Sequence, residues 1–138
     1  MYEELAQAHN NLRTEFDALQ GVWTDYSATS TIVGWSSFTT KLIYYKKIGN
    51  TVLVNVNILG VSNTTGVTLT VPYTSKNTTN QIYFGCSYAI DSGSATTGGV
   101  LVLPANSAVV TGYSTVAGAA WTNSGNKAIH GQFWYEVA

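Results

Sequence analysis

Beyond residue 21 the chain offers one imidazole, His130, and three carboxylates, Asp25, Asp91 and Glu136, as groups that could move a proton or attack a substrate. Glycoside hydrolysis needs two carboxylates facing each other across a cleft, and these are far apart in sequence. Asp91 lies in Asp91-Ser92-Gly93-Ser94, where an Asx-turn accounts for it without chemistry. A Ser-His-Asp relay could be drawn from any serine-rich chain that contains His130, but the Gly-x-Ser-x-Gly turn that presents a nucleophile is absent. The single cysteine, Cys86, excludes an intrachain disulfide and a cysteine-based zinc site. The sequence therefore points away from an enzyme and toward a protein without metal or cofactor.

Binding asks for other residues. Sugar recognition needs a flat ring to stack on a pyranose face and a few neutral hydrogen bonders, and four Trp and nine Tyr are generous for 138 residues. Several fall in predicted loops: Tyr73 beside Pro72, Tyr113 after Gly112, and Trp121 before Thr122-Asn123-Ser124-Gly125-Asn126. Tyr73, Tyr113, Trp121 and Asn123 are the candidate glycan contacts. The alternative for each ring is packing under a loop or between subunits.

Composition narrows the partners. Charged residues are only 9%, and the surface is kept wet by neutral tracts such as Ser27-Ala28-Thr29-Ser30-Thr31 and Asn77-Thr78-Thr79-Asn80. Six Lys or Arg are scattered against seven Asp or Glu, so no basic stripe exists to neutralise nucleic acid. Lys46-Lys47, the one dense basic spot, reads as charge guarding a strand edge. No apolar run is long enough to insert in a membrane, and Met1-Tyr2-Glu3-Glu4 does not open a signal peptide. The Asn63-Thr64-Thr65 and Asn77-Thr78-Thr79 sequons read as incidental features of polar turns.

Two elements must position these residues. Residues 1–21 form a helical stalk, with Leu5, Leu12 and Leu19 seven apart and Tyr2, His9 and Phe16 at the complementary positions. This alternating three- and four-residue spacing is a coiled-coil seam. Aromatic and histidine residues at its a positions suit the wider axis of a three-stranded coil. The competing reading is an amphipathic helix packed on the body of its own domain. A neutral, packed His9 is expected, with a pH-sensitive or ion-binding layer as the alternative. Gly21 ends the helix. A stalk this short is marginal alone, so trimerisation should rest mainly on the head, with the heptads setting register and both sharing one threefold axis.

Residues 22–138 read as an all-β head, an antiparallel β-sandwich of jelly-roll-like form, because short alternating runs are separated by turns every ten or so positions. Lys41 to Ile48 turns at Gly49-Asn50 into Thr51 to Leu59, with Val52, Val54, Val56 and Ile58 facing the core. Val67, Leu69 and Val71 form a further core face, ended by Pro72. Ile82, Phe84, Cys86, Tyr88 and Ile90 align on one face of a single strand, which puts Cys86 in the core as a small hydrophobe. Val100 to Leu103 and Ser107 to Thr111 flank a turn at Pro104-Ala105-Asn106. The closing strand, Ala128 to Val137, turns Ile129, Phe133, Tyr135 and Val137 inward. His130, Gln132, Trp134 and Glu136 make a polar-aromatic face suited to a subunit interface, and His130, Gln132 and Trp134 join Tyr2, Leu5, His9, Leu12, Phe16 and Leu19 as expected trimer contacts.

Trp23-Thr24-Asp25-Tyr26-Ser27, Gly34-Trp35, the alternating Lys41 to Val56 stretch and the ending His130-Gly131-Gln132-Phe133-Trp134-Tyr135-Glu136 resemble the C-terminal head domains of trimeric tailed-phage tail fibres and related virion fibres. The resemblance spans most of residues 22–137 and rests on strand patterns rather than catalytic signatures. It implies a homotrimer at the distal end of a virion fibre, assembled in the host cytoplasm and extracellular after lysis. Its partners would be a bacterial surface polysaccharide or other envelope receptor, together with other fibre or capsid subunits. A purely structural trimerisation cap or capsid decoration is the alternative. Such heads share no fixed set of binding residues, so none is carried over. Met1 so close to the heptads departs from a full-length fibre, as expected of a piece of a longer fibre or of a small subunit docking on a larger virion component.

Overall fold

Ala, Leu, Glu, Gln and Arg dominate the first twenty residues, and these strong helix formers build α1, Tyr2–Gln20, in a computed structural model that describes residues 1–77, the backbone of 82–85, and 88–138. Glu3 and Glu4 in the first turn favour the helix dipole. Gly21 ends the helix at φ 65°, and a side chain there would collide with the Lys47 carbonyl. Only glycine meets both demands. None of the helix is buried, so packing on its own domain is not what this helix does.

The other described elements are antiparallel strands. β1 (Thr24–Asp25), β2 (Ile32–Val33), β3 (Trp35–Ile48), β4 (Thr51–Ser62), β5 (Val67–Thr70), β6 (Ile82–Gly85), β7 (Tyr88–Asp91), β8 (Ser94–Ala95), β9 (Val100–Leu103), β10 (Val109–Tyr113) and β11 (Asn126–Glu136) follow in chain order. They make a six-stranded sheet, β1-β3-β4-β11-β7-β8, and a five-stranded sheet, β2-β5-β10-β9-β6. The β3–β4 hairpin turns at Gly49-Asn50 as expected, with Ile48 opposite Thr51. Its register shifts between Trp35 and Ser37 and between Phe38 and Thr40, opposite Gly60, where any side chain would strike the Ser37 carbonyl.

The expected alternations hold in three strands. Val52, Val54, Val56 and Ile58 of β4 are buried, with Leu69 of β5 and Ile129, Phe133 and Tyr135 of β11. Together with Leu101, Leu103 and Val110 from the other sheet they form one core between the two layers. Each fully buried Val, Leu or Ile contributes about 1.5–3 kcal/mol.

The structure departs from expectation in one strand. The run from Ile82 to Ile90 is not a single strand: β6 pairs with β9 in one sheet, while β7 pairs with β11 in the other. Continuous alternation cannot signal where a chain crosses between layers. Cys86 and its expected core position lie outside the described residues, as do the side chains of Ile82 and Phe84. β1 pairs with β3 only at Tyr44 and Tyr45, so Lys46 and Lys47 lie just beyond that short ladder, near the end of β3.

One buried cation ties the layers together. Lys127 is fully buried, and its ammonium donates to the carbonyls of Thr64 at 2.8 Å and Gly34 at 3.1 Å. It sits 5.4 Å from the ring centroids of both Trp35 and Trp121. The Trp35 indole N–H donates back to the Lys127 carbonyl at 3.0 Å. Burial pulls the Lys127 ammonium down to about 8, against a smaller opposing effect of Asp91. Its unfolded value stays near 10.5, so between these limits the unfolded chain binds more protons and stability must rise with pH. Burial has the opposite consequence for Tyr135, whose phenol is raised well above its ordinary value of 10. Its contribution is complete below that pH and lost above it. Urea titrations should therefore show stability rising by about 2 kcal/mol from pH 8 to pH 10 and falling beyond. Lys127→Met should abolish the rise.

Candidate functional site

Period-two alternation that buries one face of the six-stranded sheet turns the other face to solvent, and the register assembles that face in rows. Leu42, Asn57, His130 and Tyr88 stand side by side across β3, β4, β11 and β7. The next rows are Tyr44, Asn55 and Gln132, then Lys46, Leu53 and Trp134. His130, Gln132 and Trp134, separate in sequence by one residue each, thus share a surface with strands about forty to ninety residues upstream. Trp134 is 59% exposed, and Leu42 and Tyr88 are also open to solvent. The Tyr88 and His130 rings meet edge to face at 5.5 Å. Asn57 Oδ1 is enclosed with no hydrogen-bond donor in the described structure, a condition uncommon in a completed surface. Lys46 supplies the one cation of these rows, so the face is almost wholly neutral.

The helix presents a second unpartnered surface. Leu5, Leu12, Phe16 and Leu19 are each more than half exposed, and Tyr2 more still. They occupy the positions of the expected seam together with His9, which is exposed like its neighbours. Gly21 lies against the Lys46–Lys47 end of β3, so the helix leaves the head beside the row that holds Lys46 and Trp134.

The four candidate sugar contacts separate. Trp121 is only 2% exposed. Its indole N–H donates to the Gly112 carbonyl at 2.9 Å, and its own backbone N–H to Thr65 at 3.1 Å. It is a core residue, and the expectation that it offers a ring to a ligand is corrected: an indole beside the Lys127 ammonium is worth more inside than out. Asn123 is exposed in the loop before β11, which Asp91 secures by accepting from both the backbone N–H and the hydroxyl of Thr122. Tyr113 is half-buried and lines an open groove of about 400 Å³ with Val100, Val102, Pro104, Thr111, Val116, Ala117 and Gly118. Tyr73 follows the end of β5 and does not line the groove. It meets the Tyr45 ring edge to face at 5.7 Å and has the Lys47 ammonium 5.2 Å over it. A hydrogen bond with Tyr45 is the main cause of the upward shift of its phenol. The structure brings Tyr113 and Asn123 to one end of the head and leaves Tyr73 out of the groove.

Among the described residues no group of His, Cys, Asp or Glu is placed to hold a metal ion, and no helix is long and apolar enough to cross a membrane. The residue that sequence reasoning missed is Lys127. The alternation of β11, carried back past Ala128, would have marked it as a cation facing the core. Its two indole neighbours could not be read that way, because residues 35, 121 and 127 meet only through the fold.

Tyr73 depends on a buried neighbour, since the Tyr135 hydroxyl donates to the Tyr73 carbonyl at 3.0 Å and accepts from its N–H at 3.4 Å. Tyr135→Phe should cost about 1–3 kcal/mol, because both backbone groups lose their partner, read as a lowered Tm with unchanged circular dichroism. No protein-family model matches the chain, and no curated protein matches it in sequence.

Proposed function

We propose that three copies of this chain assemble, through the α1 seam and the outward face of the six-stranded sheet, into the attachment head of a virion fibre. The head, jelly-roll-like in form, would bind a glycan of the bacterial surface without enzymatic action. The observation that carries this reading is the helix. A nineteen-residue amphipathic helix that buries none of its residues is too short to be secure alone and gains stability only by covering its seam. Heptad spacing matches that seam to copies of itself.

The sheet face supports the same assembly. Exposed Trp134, Leu42 and Tyr88 beside Asn55 and Gln132 have the mixed aromatic and amide character of a subunit interface. A neighbouring chain would also supply the donor that Asn57 lacks. Three heads on one axis would present three copies of any loop-built site, so weak single contacts would combine into firm adhesion.

The burial of Trp121 favours the second reading, a cap that holds three chains together and binds nothing, because it withdraws one of the expected contacts. Light scattering and adsorption competition decide between them. The wild-type chain should have three times the monomer mass and should block attachment of the parent virion to its host. Leu12→Asp should weaken assembly by at least about tenfold, as expected of a carboxylate forced into an apolar layer. A monomeric wild type would overturn the proposed assembly. A trimer that leaves adsorption untouched would establish the cap.

A further inference from the structure

We propose that the groove beside Tyr113 is a saccharide subsite that selects an uncharged sugar bearing an apolar substituent, such as a 6-deoxy methyl or an N-acetyl group. The proposal rests on the attachment reading and says where on the head, and for which chemical class, that reading applies.

Strand register builds the floor. Tyr113 pairs with Val100 and Thr111 with Val102. The intervening Leu101 and Gly112 are buried on the core side, so these four residues share the outward face of the five-stranded sheet. Pro104 closes one end, and Val116, Ala117 and Gly118 raise a wall. The volume of about 400 Å³ lies within the range of roughly 300–1,000 Å³ usual for small-molecule sites.

The wall is held in shape before any ligand arrives. Ser114 donates to the Ala119 carbonyl through its N–H at 2.9 Å and to the Ala120 carbonyl through its hydroxyl at 2.9 Å. Gly118 N–H reaches the Thr115 carbonyl at 3.0 Å, and Ala119 N–H reaches the Thr115 hydroxyl at 3.2 Å. Beneath the floor, Trp121 grips the carbonyl of Gly112, the residue next to Tyr113. Trp121 is thus a positioning residue for the site. A preformed groove spares a ligand the cost of ordering it.

Charge selects the ligand class. Among the described residues that line the groove none carries a charge, so a uronic acid or a sugar phosphate would surrender hydration with no cation to replace it. The hydroxyls of Thr111 and Tyr113 form no hydrogen bond with other described residues and can serve sugar hydroxyls, while the Tyr113 ring can stack on sugar C–H groups. Val100, Val102, Pro104, Val116 and Ala117 favour a methyl over a hydroxymethyl.

Nuclear magnetic resonance titrations of the full chain with methyl α-L-rhamnopyranoside, N-acetylglucosamine, glucose and glucuronic acid test this, with host adsorption measured alongside. The first two sugars should shift the amide resonances of Val116, Ala117 and Gly118, glucose should do so more weakly, and glucuronic acid should not. Tyr113→Ala should lower affinity on the order of tenfold through loss of one stacked ring. Ala117→Trp, a change at an exposed loop position that fills the groove, should do the same with the fold intact. Glucuronic acid bound as well as the rhamnoside would overturn the selectivity. Sugar binding and host adsorption that both survive the two substitutions would overturn the groove while leaving attachment standing. Loss of every sugar shift together with absence of adsorption by the wild type would overturn both.

Discussion

A lysine ammonium enclosed between two indoles, with backbone carbonyls as its hydrogen-bond partners, is the contact on which the head depends. Lys127 opens the strand that sits at the centre of the larger sheet. Gly34 belongs to the β2–β3 junction, Thr64 to the β4–β5 loop, and Trp121 to the approach to β11. One side chain therefore fixes three connections that cross between the layers. Among the described residues the single ion pair, Lys76 with Glu136 at 3.5 Å, is exposed and contributes little. With so few charges the chain cannot rely on surface networks, and its one internal cation is neutralised by dipoles and ring faces instead of by a carboxylate. Such an arrangement is demanding in geometry, since a carbonyl or ring displaced by a rotamer change leaves the charge uncompensated.

The same geometry separates two surfaces. β4 and β11 are buried on one side and open on the other, so each residue that packs the core alternates with one that meets the outside. The outward row of Lys46, Leu53 and Trp134 exists because Tyr45, Val54 and Tyr135 face inward. The five-stranded sheet repeats the division on a smaller scale, with Leu101 and Gly112 beneath and the Tyr113 groove above. Interface and ligand surface would thus lie on opposite layers, so that neither covers the other.

Much of the fold was legible because alternation and turns are local signals. Val52 to Ile58, the Gly49-Asn50 turn and Ile129 to Val137 could be assigned from period two alone, and Gly21 from its place after the heptads. The candidate site was less legible. Trp121 follows a neutral loop and precedes polar residues, so nothing nearby marks it as core; its partner Lys127 is six residues away, and the third member, Trp35, is at the other end of the chain. The crossover between Gly85 and Tyr88 was hidden for a similar reason, since alternation continues through it while the sheet changes. Tyr113 was recognisable as a ring in a glycine-flanked segment, but the groove beside it is made by β9 and a loop whose proximity only register determines.

The position of β11 has a bearing on how the head comes into being. Residues 126–136 pair with β4 on one side and β7 on the other, so the middle of the larger sheet is supplied by the stretch that leaves the ribosome after every other strand. Until it arrives, β4 and β7 present unpaired inner edges, and the core they enclose is open. Sheet completion consequently waits for β11 and is dominated by contacts between distant parts of the chain, which makes it slow and leaves the unfinished sheet open to mispairing. The α1 helix, which precedes every strand described, would have its apolar side free throughout this interval, and any proposed assembly of heads would have to wait until each had closed on β11.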